Sequence, residues 1–88
     1  MEHSEKLKLG HELKQIIGFS PPQCTELMLC TGTWELDVVK LDEMLGKQIP
    51  EYDNENCEYK GKPNYSFNMM MTEHFGKRAS EIIELLIS

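Results

Sequence analysis

The chain has one arginine, Arg78, and its 15 acidic residues outnumber its 9 basic ones, leaving a net charge of −6. Phosphate neutralisation supplies most nucleic-acid affinity, and arginine makes the best bidentate contacts to bases. Nucleic acid is therefore disfavoured as a partner. Cysteine is also sparse: Cys24, Cys30 and Cys57 make an odd count with no close pairing, which argues against a disulfide framework. The longest aliphatic runs, Leu27-Met28-Leu29, Met69-Met70-Met71 and Leu85-Leu86-Ile87, fall far short of the roughly 18 apolar residues a membrane span needs. Near the start, Glu2, Glu5 and Glu12 among lysines do not give the basic-then-apolar order of a signal peptide. The expectation is a cytoplasmic protein with reduced thiols and no membrane association.

Signatures of chemistry are missing too. Glycines are too widely spaced for a phosphate-binding loop or a Gly-x-Ser-x-Gly elbow. Structural zinc favours Cys-x₂₋₄-Cys pairs, because two ligands must reach one tetrahedral ion from a tight turn. Cys24 and Cys30 are further apart than that, and His3, His11 and His74 have no ligand spacing. Cys30–His74 and Cys57–His74 pairs carry no local signature. Asp42-Glu43 is a carboxylate pair, but neighbouring residues of a helix point different ways and form a solvated face. No catalytic residue, metal or cofactor is expected, and the chain does not read as an enzyme.

What is present suits one small helical domain over residues 1–88, with 40% apolar residues. After Gly10, glycines recur at Gly18, Gly32, Gly46, Gly61 and Gly76, leaving segments of helix length between stops. Ser4 is a candidate cap for a helix ending at Ile17, with Leu9, Leu13, Ile16 and Ile17 on one face. Ser20-Pro21-Pro22-Gln23 combines a capping serine, proline at the first helical position and glutamine three after the cap. That predicts a helix from Pro21 to about Cys30. Trp34, Val38, Leu41 and Leu45 then keep helical spacing up to Gly46.

From Ser66 onward, Phe67, Met71, Phe75, Ala79, Ile82, Ile83 and Leu86 form one stripe, which Gly76 either breaks or interrupts. Met69, Met70 and Met71 cannot share a helix face, so at least one is exposed. Between Lys47 and Tyr65 the periodicity fails, and Glu51, Asp53, Glu55 and Glu58 follow with no base among them. The expected fold is all-α: a compact bundle of four to five short helices with a long acidic loop. Two features dissent. Trp34, Leu36 and Val38 alternate with acids, so a small hairpin at residues 26–38 is the α+β alternative. Residues 57–65 around Gly61 also suit a short two-stranded turn.

Two function classes follow. The first is a non-catalytic interaction or inhibitory module whose surface is Asp37, Asp42, Glu43, Glu51, Asp53, Glu55 and Glu58. Its partner would be a protein with a basic surface, such as the groove of a nucleic-acid enzyme, and the opposite charge would speed encounter. The second is a small DNA-binding regulator. Met28, Gly32, Val38 and Leu41 repeat helix-turn-helix intervals, as do Thr72, Gly76, Ile82 and Leu85. The first match sets Lys40 against Glu35, Asp37, Asp42 and Glu43, which repels DNA, so only the second is compatible with it, reading DNA through Lys77, Arg78 and Ser80 as a homodimer.

Overall fold

The computed structural model describes residues 2–26 and 36–87. Five helices are present among the described residues: α1 (His3–Ile17), α2 (Pro21–Glu26), α3 (Val38–Gln48), α4 (Phe67–Phe75) and α5 (Lys77–Ile87). Between α3 and α4 lie two short strands, β1 (Tyr52–Asp53) and β2 (Glu58–Tyr59), paired antiparallel. The all-α expectation is therefore corrected to mostly helical with one small hairpin. The hairpin forms because Tyr52 and Tyr59 are cross-strand partners whose rings are both buried, a period-two pattern that helical windows do not detect. The alternative hairpin at 26–38 falls mainly on residues outside the described set, as do Trp34 and Cys30. Its described residues are not strand: Glu26 belongs to α2, Leu36 and Asp37 to no strand, and Val38 opens α3.

Local chemistry explains most boundaries. Ser66 caps α4, its Oγ accepting from the Met69 amide at 3.2 Å. The Ser20 amide donates to Gln23 Oε1 at 2.9 Å, the return half of a capping box. Gly18 ends α1 at φ 82°, and the amides of Gly18 and Phe19 both reach the Lys14 carbonyl. Two expectations shift. Helix α1 begins at His3, with Glu2 in the cap position, so Ser4 lies inside the helix. Helix α3 runs through Gly46 to Gln48. Glycine there gives room of a different kind, since a Cβ at that position would overlap the Asn54 side chain arriving from the hairpin unless that side chain moved.

Among the described residues the core draws on α1, α3, α4, α5 and both strands. Leu13 and Ile17 of α1, Leu41 and Leu45 of α3, Met70 and Met71 of α4, and Ala79, Ile82, Ile83 and Leu86 of α5 are buried in one cluster with Tyr52 and Tyr59. Helix α5 is the centre of the packing, lying against both α1 and α4. Its buried apolar positions, Ala79, Ile82, Ile83 and Leu86, fall at i, i+3, i+4 and i+7, the stripe a helix needs to face two neighbours. On α4 the methionines divide as their spacing requires: Met70 and Met71 are buried, and Met69 is 49% exposed. No described helix is long and apolar enough to cross a membrane.

Candidate functional site: an acidic face on helix 3 and the hairpin

The acids singled out by sequence lie on two elements that the fold holds together. Helix α3 packs on β1, and the Tyr52 hydroxyl donates to Asp42 Oδ1 at 2.5 Å. Burial, reinforced by the Asp42 carboxylate, holds the Tyr52 phenol above its usual range. Tyr52 therefore stays a donor at neutral pH, and its bond fixes the hairpin against α3.

Three of the seven acids are engaged in holding the structure. Asp37 caps α3 by accepting from the Lys40 amide at 3.1 Å. Asp42 holds Tyr52. Asp53 organises the hairpin turn, with Oδ1 accepting from the amides of Glu55 and Asn56 and Oδ2 accepting from Asn56 Nδ2 at 2.7 Å. The other four, Glu43, Glu51, Glu55 and Glu58, have exposed side chains. The register places Asp53 directly across from Glu58, two like charges on facing strands. Such a pair opposes hairpin formation.

Hydrogen bonds from Asn56, led by its side chain, hold the Asp53 carboxyl below the usual aspartate range. A depressed carboxyl contributes stability that is present above the unfolded-state pKa and is lost as pH falls through the lower folded value. The Glu55 and Asn56 amide resonances are accordingly expected to titrate below the ordinary aspartate range in an NMR pH series. Titration at the ordinary value would show that the Asp53 turn does not form.

The residues of the alternative site are placed differently. Arg78 makes a two-pronged ion pair with Glu12 of α1, Nε to Oε2 at 2.7 Å and Nη2 to Oε1 at 2.9 Å, and lies 3.7 Å from Glu81. This pairing suits a cation in the first turn of a helix, where the backbone amides are themselves partly positive. Ser80 is buried, and Lys77 remains exposed. Only Gly76 lies between α4 and α5, a tighter corner than the three- or four-residue turn of a helix-turn-helix. The first match begins at Met28 and Gly32, which lie outside the described residues.

Among the described residues no group of His, Cys, Asp and Glu is arranged to hold a metal ion. Cys57 is exposed with a free thiol, and His74 Nδ1 is instead 3.0 Å from the Tyr59 hydroxyl. Sequence reasoning missed a surface feature beside the hairpin. The Tyr65 amide donates to the Cys57 carbonyl at 2.7 Å, bringing Tyr65 within 5.3 Å of the Tyr59 ring, centroid to centroid. Tyr65 in turn lines a groove of about 510 Å³ with residues of α4 and α5. No spacing motif marks this groove, because it is assembled by the Gly76 corner.

Comparison with protein-family models, curated proteins and solved structures returns no match for this chain.

Proposed function

We propose that the protein is a non-catalytic interaction or inhibitory module that engages a basic surface on a protein partner. The observation that carries this reading is the Tyr52–Asp42 hydrogen bond, which ties the hairpin carrying the exposed Glu51, Glu55 and Glu58 to the helix carrying the exposed Glu43. The like-charged pair Asp53–Glu58 supports it further. A hairpin selected for stability alone would place a base opposite an acid, and repulsion tolerated in the free protein is relieved when a cationic partner arrives. The pairing of Arg78 with Glu12 gives the DNA-binding alternative little support.

The test is capture of partners from cell extract at low and high salt. Binding that is present at low salt and falls steeply as salt rises is the expected result, since exposed charges are screened over about 8–10 Å at physiological ionic strength. Capture indifferent to salt, or none at low salt, contradicts the electrostatic reading.

A further inference from the structure

The groove between α4 and α5 is lined by Tyr65, Asn68, Met69, Thr72, Glu73, Ser80 and Glu84. No lysine, arginine or histidine lines it, whereas two carboxylates do. Residues 68 and 72, 69 and 73, and 80 and 84 each stand one helical turn apart, so the walls are two helix faces meeting at the Gly76 corner. Glu73 accepts a hydrogen bond from the Tyr65 hydroxyl. The Ser80 side chain is independent of that pair. The residue is only 9% exposed, and its hydroxyl has no hydrogen-bond partner among the described residues. Leaving a buried hydroxyl unpaired is unfavourable, and native proteins seldom do so without a use for the group.

We propose that this groove seats an arginine side chain of the protein partner. The inference rests on the reading of the chain as a module for a basic partner and names the point at which one cation is gripped. Charge complementarity selects a cation, and the number of acceptors selects arginine over lysine. A guanidinium carries five N–H donors in a planar fork. Glu84 and Glu73 supply carboxylate oxygens, and Asn68, Thr72 and Ser80 supply neutral oxygens, the last from inside the groove. The three-carbon stem of the arginine lies along Met69, whose flexible thioether adapts to an apolar chain. Tyr65 joins the groove to the hairpin, so the same partner meets the acidic face as its arginine enters.

The experiment is an NMR titration of the whole protein with N-acetyl-arginine-N-methylamide, using the citrulline analogue as a control of equal shape without charge. Saturable shifts are expected at amides of residues 65–73 and 80–84 with the arginine compound and not with the citrulline compound. Glu84→Gln is expected to weaken that binding about tenfold, in line with loss of a charge-assisted hydrogen bond. Ser80→Ala separates a binding role from a structural one, since it should weaken binding about threefold while leaving the melting temperature unchanged or higher. Shifts confined to Glu43 and residues 51–58, equal shifts with citrulline, or no shifts at all would overturn the groove assignment. A fall in melting temperature for Ser80→Ala with binding intact would do the same. The acidic-face reading is judged separately, by the salt dependence of partner capture.

Discussion

Leu41→Ala is expected to lower the melting temperature by at least about 10 °C, and Glu55→Ala to leave it nearly unchanged. Leu41 has no solvent exposure and sits where α3 enters the common core. Truncating a buried leucine removes its transfer free energy and leaves a cavity, together typically about 2–5 kcal/mol. In a domain of this length each 1 kcal/mol moves the melting temperature by about 4–8 °C. Total stability on the order of 4–13 kcal/mol leaves little reserve against such a loss. Glu55 is exposed, and only its backbone amide is held by Asp53. Losing its carboxylate therefore removes charge and no packing. Similar melting temperatures for the two variants would show that Leu41 is not a core residue.

Gly76→Ala is expected to destabilise by about 1–3 kcal/mol, more than Gly18→Ala at about 1 kcal/mol. Both glycines have positive φ, and neither has an atom within 4 Å of where a Cβ would stand, so the difference comes from the backbone alone. Gly18, at φ 82° and ψ 31°, is left-handed helical, a region other residues enter at modest cost. Gly76, at φ 101° and ψ 163°, lies in a region that is essentially glycine's own. Relaxing that strain means moving α4 relative to α5, which would separate the groove walls and disturb the packing of Met70 and Met71. Thermal melts of the two variants give the comparison. A Gly76→Ala protein as stable as the wild type would contradict the geometry of this corner.

The amphipathic helices were the most legible part of the fold. The stripes of α1, α3 and α5 put Leu13, Ile17, Leu41, Leu45, Ile82, Ile83 and Leu86 in the core, where periodicity places them. Helix ends were readable where a side chain performs the capping, as at Ser20 and Ser66, or where glycine takes positive φ, as at Gly18. Gly46 misled because glycine also serves close approach, and the neighbour that approaches it, the Asn54 side chain, belongs to the hairpin and carries no helical spacing. The hairpin was half visible: Gly61 and the tyrosines announced a turn, but strands of two residues are too short to show alternation, and β1 begins earlier than the turn signal suggested.

The candidate site was legible as a list of acids and not as an arrangement. Sequence alone does not separate Asp37, Asp42 and Asp53, which accept hydrogen bonds that hold the fold, from Glu43, Glu51, Glu55 and Glu58, which do not. A carboxylate's role depends on which donors the chain returns to it. Nor does it show that Arg78 is occupied by Glu12, whose partner lies 66 positions away. The groove at Ser80 arises in the same way, from residues that mean nothing singly and meet only because α4 and α5 fold back at Gly76.

The most direct measurement for the acidic-face account is partner capture by the double variant Glu55→Lys/Glu58→Lys, read beside its thermal melt. Relieving the Asp53–Glu58 repulsion should leave the melting temperature unchanged or raised, while capture at low salt should be lost. Full capture by a stably folded double variant would contradict the account.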